Sequence, residues 1–77
     1  MMEMNETELN EQLKFFLDNN IKFHVDLKDG IFLNGFVLEK SKENVWRIKE
    51  DKLGEVFLFT KSIFKLQQFI EHGGQNE

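Results

Sequence analysis

The sequence predicts a mainly β domain with one N-terminal helix, a strongly bent five-stranded antiparallel sheet curling into a small open barrel. Three observations carry this expectation. Leu9, Leu13, Phe16 and Leu17 recur at helical spacing near the start of the chain and form one apolar stripe. From Ile21 onward, apolar and polar residues alternate at period two, as in strands with one buried face. Asp29-Gly30 is a strong hairpin signal, and Gly35 lies inside the strand that follows, where a missing side chain permits a sharp bend.

Residues 1–4 carry no packing signal and are expected to be loose. Asn5 is placed to cap a helix, with Glu8 reaching back to complete a capping box and acids filling the first turn. The helix should run from Asn5 or Glu6 to about Asn19, and Asn19-Asn20 can end it in a left-handed turn. Its stripe needs an apolar partner, which only the open end or face of the barrel supplies. Phe15 falls beside the stripe and is expected to be half-buried.

The first strand opens at Ile21, with Phe23, Val25 and Leu27 on one face and Lys22, His24 and Asp26 on the other. The second runs from Ile31 to Glu39. Ile31, Leu33 and Val37 share one face, and Phe32, Phe36 and Leu38 the other, so cover on both sides is expected. Ser41-Lys42-Glu43 reads as a polar break. Asn44 to Lys49 is the third strand, with Trp46 expected at a subunit seam and base stacking beside Arg47 as the alternative. Glu50 to Gly54 is a charged turn, and Val56 to Phe59 is a wholly apolar fourth strand, expected to be covered twice. Thr60-Lys61-Ser62 is a tight corner before a short fifth strand, Ile63 to Leu66. Phe69 and Ile70 add a last contact, the domain spans 5–70, and residues 71–77 are expected to be disordered.

At 77 residues this is one domain, near the size at which a lone core is marginal. Nine Phe and one Trp mean either an aromatic-dense core or rings that face a partner subunit. With no Cys, neither disulfides nor thiolate metal sites are available, and the cytosol is the expected compartment. No apolar run approaches the roughly 20 residues that span a bilayer, and the opening MMEMNETELNE is acidic where a secretory signal would be basic and apolar. The net charge of −4 resides in Glu3, Glu6, Glu8 and Glu11, since acids and bases balance from Lys14 onward. Lys40, Lys42, Arg47, Lys49, Lys52, Lys61 and Lys65 make the C-terminal half mildly basic. That balance weakens the case for tight nonspecific DNA binding and leaves room for a local basic pocket. His24 and His72 have no ligand-spaced partners, so no metal is expected. There is no Ser-His-Asp or Cys-His set, no phosphate loop and no paired carboxylates in an apolar setting. An enzyme, a cofactor and a small-molecule substrate are therefore not expected.

One helix followed by five sharply turning strands, with the second bent, resembles the Sm-like fold. Phe23-His24-Val25-Asp26-Leu27-Lys28-Asp29-Gly30, with Gly35 five residues on, looks like the first Sm motif. Leu9 to Asn20 leading directly into that strand is similar to the bacterial Hfq branch. Thr60-Lys61-Ser62-Ile63 sits where Hfq proteins carry a K-H-A-I corner. The resemblance covers about Leu9 to Leu66. It implies a homo-oligomeric ring, hexamer or heptamer, in which the fourth strand of one subunit pairs with the fifth of the next. It also implies a partner: single-stranded RNA, U-rich or A-rich, running around the pore on one face and contacting pockets on the other.

Carried over by position, the pore-side RNA contacts fall on Lys42, Asn44, Thr60 and Lys61. Asn44 matches the base-edge reader of the Sm/Lsm pattern, and Lys61 keeps a cation near the pore. Gly30, Ile31 and Asn34 match the purine site of the opposite face. Phe57, Phe59 and Ile63 fall at the subunit interface. Several positions depart from the family. Lys42 and Glu43 stand for a Gln and a stacking aromatic, Thr60 and Lys61 for the Lys-His pair, and Asp26 for an aromatic. Leu17-Asp18-Asn19-Asn20 replaces an Arg-rich rim. Two readings follow: an RNA-binding ring that brings RNA strands together, and an Sm-fold scaffold that has lost RNA affinity.

Overall fold

The computed structural model describes residues 4–70, so the expectations for residues 1–3 and 71–77 lie outside the described residues. Helix α1 spans Glu6–Asp18. The predicted capping box forms: Asn5 Oδ1 accepts from Glu8 N at 2.8 Å and Glu8 Oε1 accepts from Asn5 N at 3.1 Å. The helix gives way at Asn19, and Asn20 takes the left-handed conformation with φ 54°. The strands are β1 (Phe23–Leu27), β2 (Phe32–Lys42), β3 (Val45–Glu50), β4 (Gly54–Phe59) and β5 (Ile63–Gln68). A single 3-10 turn, Thr60–Ser62, makes the predicted corner between β4 and β5.

All pairings are antiparallel, in the order β4-β3-β2-β1-β5. The sheet is Sm-like in layout and is not closed into a barrel, since β4 and β5 are its edges. The β1–β2 hairpin turns on Gly30 at φ 94°, a backbone state that costs glycine nothing. Leu27 N donates to Ile31 O at 2.7 Å across that turn, and Asp29 Oδ1 accepts from Ile31 N at 3.0 Å. In β2 the backbone of β3 comes closest at Gly35, where a Cβ would overlap the carbonyl oxygen of Lys49 and crowd the Glu50 Cα. No side chain fits there.

Three sequence expectations need correcting in the strands. Ser41-Lys42 is not a break: β2 runs through Lys42 and only Glu43-Asn44 turns, with Asn44 at φ 64°. Register shifts between Val37 and Glu39 and between Lys40 and Lys42 bulge the strand, so polar side chains stay in the ladder while β2 twists around β3. Nor are β2 and β4 covered twice within the chain. Phe32 is 60% exposed, and Phe57 and Phe59 stand out from β4 at 57% and 46%.

The core lies between α1 and one face of the sheet. Leu9, Leu13 and Phe16 meet Phe23, Val25, Leu33, Val37, Ile48, Leu58 and Leu66 in one cluster. The Phe16 and Phe23 rings stack with centroids 6.5 Å apart and planes 10° apart. Trp46 is fully inside that cluster at 1% exposure, which excludes both a seam position and base stacking. Ile63 is also a core residue, at 2% exposure, while its neighbour Phe64 is exposed. A register shift where β5 pairs with β1 beside Asp26/Leu27 takes Phe64 out of the regular alternation. Phe15, expected to be half-buried, is exposed because its side of the helix meets no strand. No helix among the described residues is long and apolar enough to cross a membrane.

Candidate nucleic-acid interface

The pore-side candidates gather where the β2–β3 turn abuts the 3-10 corner. Thr60 N donates to Asn44 O at 3.0 Å, which locks corner to turn. The Thr60 side chain is buried, its hydroxyl 3.3 Å from Glu6 Oε2 and 3.4 Å from the Asn44 carbonyl. Thr60 therefore holds the corner together and is closed to a ligand. Lys42 and Lys61 are exposed on either side of this joint. They line different hollows: Lys42 stands with Ser41, Val45, Phe57 and Phe59, and Lys61 with Leu27, Lys28, Asp29 and Ser62.

Asn44 is half-buried and its side chain is engaged by α1. Trp46 Nε1 donates to Asn10 Oδ1 at 2.8 Å. Asn10 Nδ2 donates to Asn44 Oδ1 at 2.7 Å and to the Glu6 carbonyl at 2.9 Å. Asn10 thus connects a buried ring, a helix and a turn. Sequence reasoning passed over it because it is a polar residue on the flank of the stripe. The available signal was its place immediately after Leu9, at the border between buried and exposed positions.

The opposite face is built from β1, β2 and β5. His24, Asn34 and Gln67 stand in register there and border a hollow closed by Phe69 and Ile70. His24 Nδ1 lies 2.6 Å from Asn34 Oδ1 and Nε2 lies 3.0 Å from Asp26 Oδ1. The His24 ring also sits 5.5 Å from the exposed Phe32. Of the residues predicted for this face, Ile31 is exposed beside the hairpin and Gly30 serves the turn. Asn34 is bound on both sides. Its side chain meets His24, and its backbone N donates to Glu50 Oε2 at 3.1 Å.

Glu50 is the second residue that sequence reasoning missed. It is buried and also accepts from Lys52 N at 2.7 Å and Leu53 N at 2.9 Å. Burial opposes its ionisation, but the backbone donors of Leu53, Asn34 and Lys52 outweigh that and hold the carboxyl below its ordinary range. The sequence signal was phase: Glu50 shares period two with the buried Trp46 and Ile48.

The cations divide into engaged and open. Arg47 is bridged to Glu39 at 3.0 Å and to Glu55 at 2.6 Å. The Glu39 hydrogen bond, foremost, raises its pKa further above the ordinary value. That charge is neutralised locally and offers little to a phosphate. Lys22 pairs with Asp51 at 2.7 Å and lies 4.4 Å over the Phe69 ring. On the helix side, Glu6 reaches the corner itself, and Glu8, Glu11 and Glu43 are exposed. Among the described residues, no group of three or more His, Asp or Glu is arranged to hold a metal. No family model matches the chain, and neither does any curated protein or solved structure.

Proposed function

We propose that this protein is a divergent Sm-like ring of the Hfq type that binds single-stranded RNA and acts in the cytoplasm as an RNA chaperone in post-transcriptional regulation. The pair of open sheet edges carries the reading. Edges β4 and β5 lie at opposite ends of one sheet, each paired on one side only. Phe57 and Phe59 on β4 and Phe64 on β5 are exposed beside them. Unpaired ladders flanked by aromatic rings invite strand addition. Joining two different edges head to tail is a heterologous contact, which closes into a ring when the rotation per subunit allows.

Each subunit of such a ring contributes Lys42, Asn44 and Lys61 from the joint between turn and corner. Repetition around a pore raises effective concentration and offsets a weak single site. The exposed acids near the corner limit affinity, so binding is weak and steeply salt-dependent through counterion release. Three observations favour the scaffold reading: Thr60 is buried, Asn44 Oδ1 already has a partner in Asn10, and Lys42 and Lys61 line different hollows.

The test is the mass in solution with and without short U-rich and A-rich RNA. A hexameric or heptameric mass that rises with RNA at low salt, and does so less for Lys61→Ala, supports the RNA ring. An unchanged mass leaves the scaffold, and a stable monomer at micromolar concentration removes both. Phe59→Asp should dissociate the assembly with the fold intact. Ile63→Asp, placed in the core, should unfold the chain instead.

A further inference from the structure

We propose that His24, Asn34 and Asp26 form a proton switch on the β1–β2–β5 face. One proton gained by His24 turns the Asn34 amide end for end. The hollow beside it then presents a donor when the ring is charged and an acceptor when the ring is neutral. This inference is independent of the RNA reading.

The three side chains share one face of the sheet, and His24 pairs directly with Asn34 across β1 and β2. His24 Nδ1 lies 2.6 Å from the Asn34 amide oxygen, and Nε2 lies 3.0 Å from Asp26 Oδ1. An ionised carboxylate only accepts, so Nε2 carries a hydrogen in either charge state of the ring. A neutral imidazole has one N–H, which leaves Nδ1 bare and in need of a donor. A charged imidazole has two, which makes Nδ1 a donor in need of an acceptor. An asparagine amide meets either need, with its nitrogen or its oxygen, according to how it is turned. The oxygen toward Nδ1 is the arrangement that matches the charged ring. Loss of the proton sets two lone pairs against each other, and half a turn of the amide removes the conflict.

The amide is the part that moves. The imidazole is held at both nitrogens, the Phe32 ring packs 5.5 Å from it, and its side chain is only 24% exposed. The Asn34 backbone is fixed, its N donating to Glu50 Oε2 at 3.1 Å. Among the described residues, the Asn34 side chain has no hydrogen bond besides the one to His24. Its outer end borders the hollow shared with Gln67, Phe69 and Ile70. Gln67 pairs with His24 from β5 and carries both a donor and an acceptor, so it accommodates either state.

The charged groups around the ring leave the switch to His24. Asp26 is in contact with it. Lys65 stands opposite Asp26 on β5. Lys22, two residues before His24 on β1, is committed to Asp51 at 2.7 Å. Asn34, Phe32 and Phe36 from β2 carry no charge, and Glu50 reaches the Asn34 backbone from the core side. Histidine is the side chain whose charge ordinarily changes between about pH 5 and 8.

The test is NMR of the full chain with nitrogen-labelled His and Asn, titrated from about pH 8 to 5. At the alkaline end, a coupling across the hydrogen bond should link the Asn34 amide nitrogen to His24 Nδ1. It should vanish in step with the His24 titration and give way to one from Nδ1 to the Asn34 side-chain carbonyl carbon. A nitrogen–nitrogen coupling present at both ends or at neither overturns the switch, as do Asn34 signals whose midpoint differs from that of His24. In His24→Gln the Asn34 NH2 shifts should lose their pH dependence over this range. A retained dependence would put the driving proton on another group and overturn the proposal. In Asp26→Asn the new amide can donate to Nε2, so the neutral ring gains a second satisfied arrangement with its hydrogen on Nδ1. The alkaline Asn34–Nδ1 coupling should then lose intensity, and an undiminished coupling would show that Asp26 does not set the tautomer, which also sinks the switch.

Discussion

Two polar clusters of this molecule use similar side chains for opposite ends. Around Glu50, one carboxylate serves three backbone N–H groups, from Asn34, Lys52 and Leu53. Around Asn10, one amide serves another side chain and an indole, and only one of its bonds goes to backbone. The first cluster closes a turn and ties β2 to β3 where Gly35 forces them together. The second holds a helix to a sheet and orients a group that solvent can reach. Losing backbone partners removes structure, whereas losing side-chain partners frees a side chain. The difference teaches where substitutions should unfold the chain and where they should redirect it.

The largest expected effect tests the first cluster. Gly35→Ala forces a methyl into the Lys49 carbonyl, and relief requires the β2–β3 crossing to open. A loss of about 3 kcal/mol or failure to fold is expected, read by denaturant melting. A loss under about 1 kcal/mol would mean that the crossing is soft.

Glu50→Ala follows, with the backbone N–H groups of Asn34, Lys52 and Leu53 losing their part-buried carboxylate acceptor. About 2 kcal/mol is expected. The pH dependence has a definite sign. The Glu50 carboxyl is held below its ordinary value of 4.5 in the fold. Its contribution is therefore complete above that value and is lost as pH falls through the lower folded value. Wild-type stability should decline on acidification below about pH 4.5, and Glu50→Gln should flatten that part of the curve. Parallel curves for both proteins would assign the acid sensitivity elsewhere.

Asn10→Ala should cost about 1 kcal/mol, since Trp46 Nε1 loses its acceptor in a buried setting. Trp46→Phe should cost less through this bond, because donor and acceptor requirement disappear together at one end, although ring packing changes too. The smallest effect is the informative one: Trp46→Phe leaves only the Glu6 carbonyl to orient the Asn10 amide, so the Asn44 amide resonances should broaden as that hold loosens. A single sharp pair would show that Asn10 needs no help from the indole.

Sequence determined the elements and not the contacts between them. The stripe of Leu9, Leu13, Phe16 and Leu17, the Asn5–Glu8 box, the Asp29-Gly30 turn and the tight Thr60-Lys61-Ser62 corner are local, and each depends on residues a few positions apart. Period two likewise announced which residues of β1 face the core, because alternation is a property of the strand alone. Tertiary structure decided the rest. It decided that Trp46 lies under α1, that Ile63 points inward while Phe64 does not, and that β2 bulges through Ser41 and Lys42. It also joined Asn10 to Asn44 and Trp46, which lie 34 and 36 residues further along the chain. A residue's type limits the hydrogen bonds it can make, but only the crossing of helix and turn determines which of them form.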